Sequence, residues 1–306
     1  MRLSAPLALL LTLAAPANAH EIGAWAGGSA APAERSEVAV AAIDDKAYVI
    51  GDYNGATELL IFDLAAETWS KGASFPYPVH HAMAAGFEGR IYVFGGYTNG
   101  WNAVGNSFAY DPKTDAWSPR ASLPTARAAG GAALVGDRIH VVGGSVTGRG
   151  NTPAHEIYDP ATDSWTKAAP LPTPRDHLAV QAVDGRIVAA GGRVDGDPGR
   201  NLDATQIYDP KTGAWTEAAP LPTARSGSAS AVLDREVYVI GGESREKAFG
   251  TVEAFDLPRN LWRALASLPT PRHGFGAVSY NGRIYTLVGS PQPGGDKSGT
   301  VEVFKP

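Results

Sequence analysis

Residues 125–165 read TARAAGGAALVGDRIHVVGGSVTGRGNTPAHEIYDPATDSW, and the recurrence of this stretch along the chain decides the fold. It opens at Arg127, runs through small residues from Gly130 to Val135 and turns at Gly136-Asp137-Arg138. Ile139-His140-Val141-Val142 then leads to the pair Gly143-Gly144. A variable polar loop follows, then Glu156-Ile157-Tyr158-Asp159-Pro160, a turn, and Ser164-Trp165. Trp69, Trp117 and Trp165 are 48 residues apart, and Trp215 and Trp262 continue the series at nearly that spacing. Such a period marks a repeat architecture in which each unit buries a face against the next.

Each tryptophan of the series stands seven residues after an aromatic (Phe62, Tyr110, Tyr158, Tyr208, Phe255) and ten before a fixed slot (Val79, Arg127, Arg175, Arg225, Arg272). Phe304 opens one more copy, but the chain stops at Pro306 before its tryptophan. At the other end Trp25 has no aromatic before it, yet Arg35 follows it by ten. The end of the last repeat is therefore at the start of the chain, which means that the repeats close into a ring.

Each repeat is expected to form four strands. The Gly- and Ala-rich run suits an innermost strand crowded near an axis. Dipeptides such as Glu88-Gly89, Asp184-Gly185 and Asn281-Gly282 form the hairpin turns. The Ile-x-Val run is a buried strand ending at a glycine pair. The aromatic-Asp-Pro segment closes the third strand in a turn, and the tryptophan lies on the outer strand, filling the gap between units. Repeated six times around an axis, this unit is a β-propeller closed by an N-terminal strand that completes the last blade.

The glycine pair, Tyr-Asp-Pro and a tryptophan seven residues after the aromatic resemble the Kelch repeat, and the resemblance runs over residues 25–306. Departures are the incomplete pairs Gly51-Asp52 and Val288-Gly289, and Asp63-Leu64 and Asp256-Leu257 without the proline. The resemblance implies an all-β, six-bladed Kelch propeller. It says little about chemistry, because propellers carry many functions.

Residues 1–19 read as a secretory signal peptide: basic Arg2, an apolar stretch through Leu13, and Ala17-Asn18-Ala19 as the cleavage site. The mature chain, 20–306, is expected to be a single propeller, periplasmic or secreted. Its new N-terminus, His20, is read as a frayed end rather than a copper ligand. The sequence has no cysteine, which removes disulfides and thiolate chemistry. The formal net charge is −5, which argues against nucleic acid, and no second apolar stretch is long enough to span a membrane. A monomer is expected.

In a propeller the loop entering the inner strand and the loop leaving the second strand open on one face. The mouth is therefore expected to gather the slot residues, their followers, and whatever comes after the glycine pair. Arg35, Arg127, Arg175, Arg225 and Arg272 are expected to form a positive ring there, suited to a carboxylate or phosphate. Tyr53, His81 and Tyr97 join it, with Trp101, the tryptophan outside the repeat register. His80-His81, His177 and His273 could titrate or hold a metal, but their spacing matches no zinc signature, and no metal or cofactor is expected. Asp195-Gly196-Asp197 lacks the glutamate of a calcium loop.

No G-x-S-x-G, catalytic cysteine or H-E-x-x-H is present. The favoured reading is a binding module for an anionic sugar, a peptide or an envelope protein. The alternative is an enzyme interconverting the anomers of an acidic sugar, as exported six-bladed Kelch proteins resemble periplasmic sialic acid epimerases. Glu243 and His177 would then shuttle protons. Galactose oxidase chemistry, which needs a tyrosine cross-linked to cysteine, is excluded by the missing cysteine.

Overall fold

A computed structural model describes residues 22–306; the leader and His20 lie outside the described residues. Six four-stranded antiparallel sheets are arranged around an axis, one per repeat. In the third blade, Gly131–Val135 is innermost, followed outward by Arg138–Val142, His155–Asp159 and Ser164–Lys167. Among the described residues the one helical element is the 3-10 turn Pro198–Arg200.

Ring closure is as the offset of Trp25 implies. Ala24–Gly27 pairs antiparallel with Ser298–Lys305, placing Trp25 opposite Phe304. The same register sets Tyr110 opposite Trp117 and Tyr208 opposite Trp215 within single blades. Six hydrophobic clusters fill the six interfaces between neighbouring blades, so each blade's core is half supplied by the next one. Each indole also bolts its blade to the preceding one. Trp25 Nε1 donates to Ala266 O at 2.8 Å, Trp69 to Ser29 O at 2.8 Å and Trp165 to Ala121 O at 2.9 Å. The six repeat indoles are half-buried, except for the buried Trp262.

The glycine pairs have a specific task. Gly144 N donates to Arg175 O of the next blade at 2.9 Å, and Gly96 N to Arg127 O at 3.0 Å. A Cβ on Gly95 (φ 60°) would lie 2.2 Å from Arg127 O, so only glycine allows this approach.

Candidate functional site

The arginine slot points inward. Arg127, Arg175, Arg225 and Arg272 are at most 1 % exposed. Arg127 donates to Glu156 Oε2 at 2.5 Å and to the carbonyls of Thr125 and Val141. Arg225 donates to Glu253 at 2.5 Å and to the carbonyls of Thr223, Val239 and Gly241. Arg175 uses neutral Gln206 at 2.7 Å in the same way, and Arg272 reaches Glu302 and Thr286. Arg35 is buried too, bonded to Glu34 O and Glu58. The expected ring of ligand-facing arginines is therefore corrected. These guanidinium groups are turned to carbonyls and to a carboxylate or amide of the blades, and none of them lines the mouth cavity.

The residue two positions after the slot faces the axis instead. Here a belt of backbone hydrogen bonds runs around the ring. His81 N donates to Glu37 O, Ala129 N to His81 O, His177 N to Ala129 O, Gly227 N to His177 O and Gly274 N to Gly227 O, all at 2.7–3.0 Å. Side chains from this belt meet those that follow the glycine pairs. Glu37 Oε2 lies 3.0 Å from His81 Nε2, and Glu37 Oε1 lies 3.1 Å from His273 Nδ1. Arg193 bonds Glu243 at 2.6 Å, Asp176 at 3.3 Å and His177 Nε2 at 2.9 Å. Asp176 Oδ1 in turn holds His177 Nδ1 at 2.5 Å.

The proton positions follow from the partners. His80 Nε2 faces Gly100 O at 2.9 Å, an acceptor only, so this nitrogen carries hydrogen. His80 Nδ1, 2.5 Å from His81 Nδ1, then accepts from it. His81 thus turns Nε2 toward Glu37. His177 donates from Nδ1 to Asp176 and accepts on Nε2 from Arg193. Burial, with His81 alongside, pushes His80 down to about 4. Burial and Arg193 lower His177. Burial acts to raise Glu37, but His81 and His273 override it and hold the carboxyl well below its usual range. Burial likewise acts to lower His273, yet Glu37 and then Glu243 leave it raised.

Above this floor is a cavity of about 370 Å³. Of the residues expected at the mouth, Tyr53, His81, Trp101 and Glu243 line it, as do Glu37, Arg193, Arg245 and His273. Trp101 is 45 % exposed and faces Tyr53 at a ring-centroid distance of 6.2 Å. It is carried on a two-stranded ribbon, Tyr97–Thr98 with Asn102–Ala103. Tyr97 is buried beneath it, centroid 5.1 Å, with its hydroxyl accepting from Gly148 N at 3.1 Å, so it supports the wall rather than lining it. His177 lies behind His81, centroids 4.8 Å apart. The sequence reading placed Glu37, Asp176 and Arg193 at the mouth without choosing them. The signal was their position, two or one after the slot and directly after a glycine pair.

The KLHDC2/KLHL20/DRC7 Kelch-repeats domain family matches residues 37–220 and, in an overlapping match, 120–289. The Kelch-like protein terF of Aspergillus terreus is 31% identical over 90 residues, 26% of this chain. That match spans 20% of the relative's own length. A solved structure of YjhT superposes with a TM-score of 0.80 at 18% identity, covering 90% of this chain and 96% of that one, a likeness of fold alone.

Proposed function

The chain belongs to the Kelch-repeat family, and on that footing we propose that it is a binding module taking a small, sugar-sized polar ligand at the axial mouth. One observation carries the reading. The exposed Trp101 and Tyr53 stand beside a floor of hydrogen-bonding groups in a cavity of about 370 Å³, the size of a small-molecule site. Aromatic faces take the apolar face of a sugar ring, and Glu37, Glu243 and Arg193 match its hydroxyls.

Charge in the cavity is nearly balanced: Glu37 and Glu243 face Arg193 and Arg245, with Arg245 itself 2.7 Å from Asp197. That balance suits a polar ligand with at most one negative charge, such as a sugar acid whose carboxylate meets Arg245. It does not suit a polyanion. Glu243 and His177, the groups named for proton shuttling, are both bound by Arg193, which favours binding over anomer exchange. We also propose export, on the leader-like residues 1–19. Among the described residues, no helix is long and apolar enough to cross a membrane.

Saturation-transfer NMR with neutral sugars and sugar acids, followed by titration of the best ligand, tests the reading. Trp101→Ala and Tyr53→Ala are expected to weaken binding by about 3- to 10-fold each, from stacking energies of about 0.5–1.5 kcal/mol. Arg245→Ala should weaken only a carboxylated ligand. Binding unchanged in both aromatic variants, or no sugar bound at all, refutes it.

A further inference from the structure

Counted without the exposed Arg245, which Asp197 already neutralises, and with Asp176 beneath the cavity lining, the buried floor of the mouth carries more negative than permanent positive charge. Glu37, Asp176 and Glu243 are buried at 7 %, 0 % and 4 % exposure. Arg193, buried at 5 %, is among the described residues the one lysine or arginine side chain paired with any of them. Two further positive charges are needed among groups largely removed from water. Protons on two histidines supply them, or a divalent cation does.

Geometry points to the cation. Glu37, His81 and His177 each offer one donor atom, and these atoms all lie within 4.8 Å of one another. Glu37 Oε2 and His81 Nε2, at 3.0 Å, already stand near the spacing of two ligands sharing a metal, since bonds of about 2.0–2.2 Å put neighbouring ligands about 3.0–3.6 Å apart. The histidines are also prepared from behind. His81 Nδ1 is held by His80, which Gly100 O anchors, and His177 Nδ1 is held by Asp176. A ring nitrogen tied to an outer acceptor while the other faces inward is the usual support of a metal-ligating histidine. His177 Nε2 faces a positive group in this structure, the Arg193 guanidinium at 2.9 Å. On the far side of Glu37, His273 Nδ1 lies 3.1 Å from Glu37 Oε1 and its Nε2 meets Gln292 O at 2.9 Å.

We propose that Glu37, His81 and His177 form a binding site for a divalent first-row transition metal at the floor of the mouth. Two imidazoles and one carboxylate suit zinc, iron or cobalt over calcium or magnesium, which prefer all-oxygen ligands. Glu37 and His81 line the cavity, which provides an entry path and leaves open positions on the ion for water or ligand. On binding, Arg193 gives up His177 Nε2 and keeps its bonds to Glu243 and Asp176. The site does not depend on the sugar reading, since metal binding is measured without any sugar.

The test uses the whole protein stripped with a chelator and titrated with Zn²⁺ by calorimetry and with Co²⁺ by visible absorption. One equivalent of each is expected. Glu37→Gln and His81→Ala should weaken binding by at least about 100-fold and Asp176→Asn by about 10- to 100-fold. His140→Tyr, far from the site in sequence register, should bind as the parent does. Should the site variants fail to fold, Co²⁺ NMR of the parent decides, because two paramagnetically shifted imidazole N–H resonances are expected. No binding by the folded parent overturns the proposal and assigns the charges to two imidazolium groups. Binding that survives Glu37→Gln and His81→Ala overturns it too, because the metal then sits elsewhere, as on the N-terminal segment.

Discussion

Trp25→Ala tests ring closure with an internal control. Trp25 donates to Ala266 O at 2.8 Å and packs on Phe304 at a centroid distance of 5.1 Å. Trp215, in the middle of the chain, donates to Ala169 O at 2.9 Å and packs on Tyr208 at 5.3 Å. Both indoles are half-buried. A fully buried aromatic cut to alanine costs about 3–5 kcal/mol. Half burial brings that to about 2 kcal/mol, and the lost hydrogen bond adds up to about 1 kcal/mol. Each substitution should therefore cost about 2–3 kcal/mol, lowering the melting temperature by about 4–10 °C in a domain of this size. The value for Trp25 is below the 3–5 kcal/mol expected of an indole buried between blades. Chemical denaturation of both variants is the assay. Equal costs mean that the N-terminal strand is as firmly built in as any strand inside the chain. A Trp25→Ala cost near zero beside a full Trp215→Ala cost would refute closure by strand exchange. Deleting residues 20–30 should do more, because it uncovers Phe304 and Val301, which are buried at 0 % and 3 % exposure.

Two further outcomes follow from buried charge. Arg225→Ala strands the buried Glu253 carboxylate and should cost about 3–5 kcal/mol, whereas Arg175→Ala leaves a neutral Gln206 and should cost less. Equal costs in denaturation would contradict the assigned partners. His140 and His155, 2.8 Å apart, are held neutral by burial, at about 4 and about 3. The unfolded chain takes up protons below its ordinary value near 6.5 while the folded one does not, so their stabilising effect is full above pH 6.5 and falls away as the pH drops. Between pH 6.5 and 5 each histidine should cost about 2 kcal/mol. The stability lost between pH 7.5 and 5 should shrink by about 4 kcal/mol in a His140→Tyr/His155→Thr variant, whose side chains match Tyr92 and Thr205 at the same repeat positions, and the remainder falls to groups such as His80, also held low by burial. A slope undiminished in that variant would place the acid sensitivity elsewhere.

The propeller was readable because repeats expose their own rules: the offset from Trp25 to Arg35 repeats that from Trp165 to Arg175, and the structure closes the ring there. The direction of the arginines was misread, although its signal was present. Two residues before the repeat aromatic stand Glu156, Gln206, Glu253 and Glu302, the partners of the buried arginines. In the blade whose slot holds Val79, that position is Phe108. Polar with polar and apolar with apolar is the pattern of a side chain that stays inside its blade; the blade of Arg35 departs from it, with Leu60 at that position, and Arg35 turns to Glu34 O and Glu58 instead. The histidine–carboxylate cluster was harder to see because its members come from different blades, so sequence spacing carries no ligand signature.

The belt explains which mouth residues carry chemistry. Its geometry imposes a left-handed backbone on the residue two after each slot. Gly227 and Gly274 meet it at φ 65° and 60° without strain. Glu37, His81, Ala129 and His177 meet it at φ 52–55°, where a side chain costs of order 1–3 kcal/mol. Ala129 shows that strain alone does not mark a site, since its methyl group contacts nothing that binds. Glu37, His81 and His177 differ in that all three converge on one point, and each holds a partner there that glycine would leave unpaired. The slot residue and its follower thus divide the labour of the repeat. Arginine at the slot holds the blade together from within, and the strained residue two further on is free to vary and faces the axis. Function is expected at the position where the repeat tolerates strain, and the exposed Trp101 wall stands directly above it.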